Sequence, residues 1–159
     1  MFAQLDTKSV YSFMDSVVDL TTYVERAKEL GYQALGLMDR DNLYAAYHFA
    51  QFASSKGLRP LIGMEANLFY EGRKIPFRLL AKNNQGYKNL MKLATELSSG
   101  QREFTAFSDY LNAIALILPS EDWEPGMTLG SEVFIGIRPE DAGKEFDYPV
   151  IPLHTVRYF

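Results

Sequence analysis

Three carboxylates follow short apolar segments of the sequence in a regular way. The segments "GYQALGLMD" and "GLRPLIGME" each run from a glycine that can end a helix to a carboxylate, Asp39 or Glu65. Asp6 directly follows the first predicted strand. Because the carboxyl ends of parallel strands meet at one edge of a sheet, we expect these side chains to lie together at equivalent strand ends. Carboxylate oxygens are the ligands that Mg²⁺ and Mn²⁺ prefer, so the pattern allows such a site.

Cations next to these carboxylates favour a different interpretation. Lys8 and Arg40 stand within two residues of a carboxylate, and Arg157 follows the last predicted strand. A fixed cation repels a divalent metal, and it also supplies the positive partner that a buried carboxylate needs. We therefore predict a metal-free, salt-bridged plug in which these cations neutralise the carboxylates.

The two histidines add little to a metal site. His48 lies in the middle of a predicted helix among aromatic residues, where a structural role is favoured over metal ligation. His154 follows the last predicted strand and is the one credible imidazole for a site. The alternative to the plug is a reduced Mg²⁺ or Mn²⁺ site on Asp6, Asp39, Glu65 and His154.

The elements that must position these residues alternate along the chain. Apolar periodicity and terminal glycines predict helices over 19–31, 41–57 and 83–100, with Asp41 as the N-cap of the second. Short apolar runs predict strands over 2–5, 34–38, 60–64, 77–81, 113–118, 133–137 and 150–153. This order is typical of an α/β fold with a mostly parallel sheet, such as a βα barrel. After residue 118 no long helix is predicted, so the barrel is thinly covered in its second half.

Composition limits the class of protein. The 159 residues are 47% hydrophobic and 23% charged, which is enough for a single domain over 1–159. There is no cysteine, so thiolate metal sites and disulfides are excluded. The net charge of -4 argues against strong DNA binding through a basic face. No apolar run approaches the roughly 18 residues of a membrane span, so we expect a cytoplasmic protein. Because the sequence stops on two aromatic residues, we expect a fragment of a longer chain.

Several segments resemble one family in its own order. These are "FAQLDTKSVYSFMDS", "LGLMDRDNLYAAYHF", "GLRPLIGMEANLF", "LLAKNNQGYKNLMKL" and "YPVIPLHTVRYF". They resemble the PHP (polymerase and histidinol phosphatase) domain, in the type found at the N-terminus of bacterial replicative DNA polymerase III alpha subunits. The likeness spans nearly the whole chain and is greatest to the short alpha subunit of Gram-positive bacteria. The family implies a distorted seven-stranded, TIM-like βα barrel.

The resemblance also implies where a metal would bind. Metal-bearing members carry His-x-His in the first segment, Asp-His in the second, a Glu in the third and Asp-x-His in the last. The residues at those positions here, together with the histidine beside the last pair, are Asp6, Lys8, Asp39, Arg40, Glu65, His154, Thr155 and Arg157. Asp39 and Glu65 remain, whereas most imidazole ligands are replaced, several of them by cations. The resemblance therefore implies a degenerate metal site that holds no cofactor.

The loss of these ligands favours a structural function over the phosphoesterase or proofreading chemistry of active members of the family. We expect a catalytically inactive PHP domain that packs on the rest of a polymerase alpha subunit and contacts other replisome proteins. The carboxylates for nucleotidyl transfer would lie elsewhere in that chain. Two alternatives stay open, namely a free-standing metal-dependent phosphoesterase or 3′–5′ exonuclease, and a small nucleic-acid-binding module.

Overall fold

The computed structural model describes residues 3–12, 17–130 and 132–156. Three α-helices are present in this part of the chain: α1 (Leu20–Glu29), α2 (Ala46–Ser55) and α3 (Asn84–Ser98). The strands are β1 (Ala3–Gln4), β2 (Asp6–Thr7), β3 (Ala34–Arg40), β4 (Arg59–Tyr70), β5 (Arg73–Ala81), β6 (Ile114–Pro119), β7 (Val133–Ile137), β8 (Val150–Pro152) and β9 (Thr155–Val156).

Seven strands form one mixed sheet that curls into a half-barrel. Their order is β1-β3-β4-β5-β6-β7-β8, and β2 pairs with β9 in a separate two-stranded ribbon. The predicted α/β barrel class is confirmed. The sheet is mostly parallel, as expected, and the exception is β5, which runs antiparallel to both β4 and β6.

The departure at β5 comes from a β-hairpin. Strand β4 continues to Tyr70, and Glu71 and Gly72 both have positive φ, 49° and 79°. Two such residues give the tight turn whose twist suits an antiparallel pair. Glu65 therefore lies in the middle of a strand, where the sequence had predicted a strand end, and its register partner on β5 is Arg78.

The helices cover one face of the half-barrel. Leu35 and Leu37 of β3 pack with Tyr23 of α1 and Phe49 of α2 in one core cluster. A second cluster joins β4, β5, β6 and β7 to Leu90, Leu93 and Leu97 of α3. Beyond α3, every helix in the described residues is a short 3-10 helix, and these helices span 104–110, 120–122 and 139–141. In the described ranges, no helix is long and apolar enough to cross a membrane.

The ribbon of β2 and β9 crosses close to the sheet. A Cβ atom built on Gly36 of β3 would lie 2.1 Å from the carbonyl oxygen of Leu5, the residue between β1 and β2. A glycine at this position therefore lets the chain pass from the main sheet into the ribbon. The crossing places Asp6 and Thr7 of β2 in register with Thr155 and Val156 of β9.

The start of α2 differs from the prediction. The helix begins at Ala46, and its N-cap position is Ala45, so Asp41 is not the cap. Asp41 has a φ of 55°, and its carboxylate is paired with Arg102 at 2.8 Å. Asn42 starts the intervening turn, because its Oδ1 accepts a hydrogen bond from the backbone N–H of Tyr44.

Candidate functional site

Strand register separates two of the predicted site residues. Arg40 pairs with Glu65 across β3 and β4, whereas Asp39 pairs with Met64. Partners on adjacent strands point to the same face, and neighbours along a strand point to opposite faces. Asp39 and Glu65 therefore lie on opposite faces of the sheet, and the prediction that they occupy equivalent strand ends is wrong by one residue.

A buried lysine lies between two of the carboxylates. The Nζ atom of Lys8 is 2.5 Å from Oδ1 of Asp6 and 3.5 Å from Oε1 of Glu65. The side chains of Lys8 and Asp6 have no exposed surface, and that of Glu65 is 3% exposed. Strand β2 places Asp6 here, and the backbone N–H of Lys8 donates to the carbonyl of Val156 in β9. The ammonium group thus lies between the two carboxylates.

An arginine that the sequence did not indicate completes this group. Nη2 of Arg78 lies 3.1 Å from Oδ2 of Asp6 and 3.3 Å from Oε1 of Glu65. Its side chain is 7% exposed, and its Nη1 donates to the backbone carbonyl of Pro76. At the outer edge, Nε of Arg40 donates to Oε2 of Glu65 at 2.8 Å. We call Asp6, Lys8, Glu65 and Arg78 the buried ion cluster, with Arg40 at its rim.

The cluster keeps Asp6 ionised. Burial alone raises the pKa of the Asp6 carboxyl, but the nearby charges of Lys8 and Arg78 lower it. Hydrogen bonds donated by Lys8 and by the hydroxyl of Thr155 lower the pKa further. The net result is a pKa below the usual range of an aspartate. Asp6 therefore stays charged at neutral pH inside the protein.

Asp39 has a different set of partners. Its carboxylate accepts hydrogen bonds from the N–H and hydroxyl of Ser9, both at 2.6 Å, and from the hydroxyl of Ser12 at 2.7 Å. The hydroxyl of Ser12 in turn accepts the backbone N–H of Arg40. Asp39 is 2% exposed, so these bonds stabilise a buried carboxylate. Its function here is to hold the loop after β2 against β3.

The remaining predicted residues are spread around the cluster. His154 is exposed, and its backbone carbonyl accepts a hydrogen bond from the side chain of Gln4. His48 lies on the exposed side of α2 with its ring 5.8 Å from that of Tyr47. Arg157 lies outside the described residues. A cleft of about 920 Å³ opens over the cluster, lined by Arg40, Glu65, Arg78, Arg138, His154 and Thr155 among others.

These residues do not fit a divalent metal. The ammonium of Lys8 lies where a cation shared by Asp6 and Glu65 would lie, and Arg78 contacts the same two carboxylates. Asp39 is directed to the other face, where serines hold it. In the part of the chain that the structure describes, no three His, Cys, Asp or Glu side chains are grouped to hold a metal. The arrangement joins β2, β4 and β5 through charge.

Comparison with known proteins identifies the family. The family model of the PHP domain matches residues 4–124. DNA polymerase III subunit alpha of Streptococcus pyogenes serotype M1 is 45% identical over 161 residues, covering all of this chain and 16% of that protein. The same subunit of Bacillus subtilis is 33% identical over 126 residues, covering 76% of this chain and 11% of its own. The chain thus spans about 16% of the length of the first of these curated relatives.

Solved structures share the fold at low sequence identity. An amidohydrolase from Chromobacterium violaceum, solved with bound sulfate and no metal, has a TM-score of 0.55 at 10% identity and covers 77% of this chain and 69% of its own. A proposed metal-dependent phosphoesterase from Bifidobacterium adolescentis has a TM-score of 0.51 at 18% identity, covering 61% of this chain and 33% of its own. The family model and the sequence relatives show that this chain belongs to the PHP domain family and is similar over its full length to a segment of DNA polymerase III alpha subunits.

Proposed function

We propose that this chain is the PHP domain of a replicative DNA polymerase III alpha subunit, and that it is metal-free, catalytically inactive and structural. The proposal rests on full-length similarity to alpha subunits and on one observation in the site. That observation is the fully buried ammonium of Lys8, which lies between the carboxylates of Asp6 and Glu65.

The lysine supports the absence of a metal through simple electrostatics. A divalent cation placed between Asp6 and Glu65 would have to displace Lys8, because two cations cannot share the space. Moving Lys8 aside would leave its ammonium in a buried environment without its carboxylate partner, which is costly. Arg78 would face the same metal from the other side. The cluster is therefore better suited to hold strands together than to exchange ligands.

Within the polymerase the domain would act as a rigid module. Ion pairs of the cluster link β2 to β4 and β5. The hydroxyl of Thr155 in β9 donates to the carboxylate of Asp6 in β2. We infer that the domain 1–159 packs on the remainder of a much longer alpha chain in the cytoplasm, where other replisome proteins contact it. The acidic net charge of -4 supports only weak DNA binding by this segment. Nucleotidyl transfer is assigned to carboxylates elsewhere in the chain.

The competing function is a metal-dependent phosphoesterase or 3′–5′ exonuclease. It would need Asp6, Asp39, Glu65 and His154 to act on one ion. Asp39 and Glu65 lie on opposite faces of the sheet, and His154 is exposed, so the geometry argues against this function.

An activity assay separates the two functions. The purified chain is incubated with a phosphomonoester and with a 3′-labelled DNA strand, each with Mg²⁺, Mn²⁺ or Zn²⁺. We expect no turnover above that of a Glu65→Ala protein prepared in parallel, because no metal-activated water is available. Metal-dependent hydrolysis that disappears in the Glu65→Ala protein would contradict the proposal. The shared background in both preparations measures contaminating nuclease.

A further inference from the structure

Four exposed apolar side chains lie on two neighbouring segments, the loop after β2 and the stretch that runs from the turn before α2 into the first turn of that helix. Val10 is 55% exposed, Tyr11 53%, Tyr44 75% and Tyr47 63%. We call these four residues the aromatic patch. Single exposed apolar residues are common, but three tyrosines on adjoining segments are characteristic of a contact surface.

The patch is held in a defined arrangement. The rings of Tyr11 and Tyr44 pack edge to face with their centroids 6.2 Å apart. The side chain of Asn42 fastens both loops, because its Nδ2 donates to the carbonyls of Tyr11 and Arg40 and its Oδ1 accepts the N–H of Tyr44. Side chains that are already ordered lose little entropy when they are covered. The patch is therefore suited to docking.

The position of the patch links it to the site. Val10 and Tyr11 follow β2, and Tyr44 and Tyr47 follow β3. These two strands carry Asp6 and Asp39. In an enzyme of this architecture, the loops at the carboxyl ends of strands stay accessible to substrate. The buried ion cluster removes that requirement here. In addition, β9 ends close to the patch. It pairs with β2, and the carbonyl of Val156 accepts the N–H of Lys8, which precedes Val10 by two residues.

We propose that the aromatic patch is the surface on which the remainder of the polymerase alpha chain docks, an inference that rests on the proposed function. The alpha subunits that match this chain are about six times as long, since the match covers 16% of their length. A chain that continued past β9 would leave the domain beside the patch. The docking surface on the remainder would offer apolar side chains and acceptors for the tyrosine hydroxyls.

The chemistry of the patch favours a protein surface over nucleic acid. Its four residues carry no charge, and depletion of charge with enrichment of tyrosine is typical of the centre of protein interfaces. Single-stranded nucleic acid needs cations along its backbone as well as rings for its bases. Two cations beside these loops are each paired with a carboxylate at 2.8 Å, Arg40 with Glu65 and Arg102 with Asp41.

The test uses the full alpha subunit that carries this chain, with cysteine as a probe. This segment has no cysteine of its own, so Val10→Cys introduces one label site that leaves the three tyrosines intact. Leu30→Cys is the matched control, because Leu30 is 60% exposed and lies away from the patch at the end of α1. The rate of maleimide labelling at each position is read by peptide mass spectrometry, before and after unfolding in urea.

We expect Val10→Cys to be labelled at least tenfold more slowly than Leu30→Cys in the folded subunit and equally fast in urea. Adding Tyr44→Ser and Tyr47→Ser should restore fast labelling at position 10, whereas adding Met91→Ser, an exposed change on α3, should not. Equal rates at positions 10 and 30 in the folded subunit would overturn the inference. Protection that appears only with added DNA, or only at high protein concentration, would also overturn it and would indicate nucleic acid or a second copy.

Primer extension by the same preparation tests the proposed function separately, because a subunit without polymerase activity would contradict that function whatever the labelling shows.

Discussion

The ammonium of Lys8 and the carboxylate of Asp6 lie 2.5 Å apart, and neither side chain has any exposed surface. Such a pair gains its attraction only because both charges have been removed from water, which is itself costly. Arg78 and the hydroxyl of Thr155 supply the further contacts that a buried carboxylate needs. The ion cluster thus holds β2, β4 and β5 together inside the protein, and changes to it should alter the free energy of unfolding.

Removing the buried charge of Lys8 should destabilise the protein strongly. A Lys8→Met protein keeps most of the side-chain volume but leaves Asp6 and Glu65 without their shared ammonium. Breaking a buried pair from one side typically costs about 3–5 kcal/mol, and we expect a loss in this range in urea melts at neutral pH. Lys82→Met is the matched control, because Lys82 pairs with Glu132 while both side chains are about half exposed. It should lose about 0–1 kcal/mol. Similar losses of unfolding free energy in the two proteins would show that the buried cluster contributes no more to stability than an exposed ion pair.

The two arginines of the site should differ in importance. Arg78 is 7% exposed and contacts both carboxylates, whereas Arg40 is 39% exposed and lies at the rim. Solvent screens the rim pair more strongly, so Arg78→Met should lower the free energy of unfolding more than Arg40→Met. Chemical denaturation of both proteins at neutral pH measures this order. The reverse order would mean that the rim pair carries more of the stability than the buried one.

The lowered pKa of Asp6 predicts a specific pH dependence. Because its folded-state pKa lies below the ordinary value of 3.8, Asp6 contributes stability above that pH and loses it as the pH falls through the folded value. The difference in unfolding free energy between the parent and an Asp6→Asn protein should therefore be constant near neutrality and narrow below pH 3.8. Urea melts over a series of acidic buffers measure this difference. A difference that did not change with pH would show that Asp6 titrates alike in the folded and unfolded chains.

Asp39 should matter for stability although it lies apart from the cluster. Its three hydrogen bonds from Ser9 and Ser12 are to a charged acceptor, and bonds of this kind contribute about 1.5–3 kcal/mol each. We expect Asp39→Ala to lose at least about 2 kcal/mol, by the same reasoning, and to expose the loop after β2 to protease. Asp109→Ala is the control, since Asp109 is exposed in a 3-10 helix. An Asp39→Ala protein as stable and as protease-resistant as this control would refute the assignment.

Much of the fold could be predicted from local sequence signals. The terminal glycines and apolar periods locate all three helices, and the apolar runs locate most of the sheet. The hairpin was not predicted, and β5 begins at Arg73, before the predicted strand; Pro76 lies within it, although proline disfavours a central strand. In the structure, β5 pairs with β6 only from Arg78 to Ala81. Pro76 lies before this paired stretch, so it interrupts no hydrogen bond between β5 and β6.

The missed hairpin also explains the missed residue of the site. A two-residue turn at Glu71 and Gly72 pairs Tyr70 with Arg73, and the same register pairs Glu65 with Arg78. A two-residue turn predicted at this point would have placed Arg78 opposite Glu65 from the sequence alone. The positions of Ser9 and Ser12 against Asp39 had no such signal, because they depend on a loop that folds over β3. The choice of Arg40 as the partner of Glu65 likewise depends on a one-residue register that strand prediction does not determine.

The proposed metal-free function depends on the ammonium of Lys8 lying where a metal shared by Asp6 and Glu65 would lie. The most direct test is the metal content of the protein, purified without chelator from cells grown with added manganese, zinc and iron. We expect each metal to be present at well below one ion per chain, with no difference between the parent and a Glu65→Ala protein. One tightly bound ion per chain in the parent, lost in Glu65→Ala, would contradict the claim.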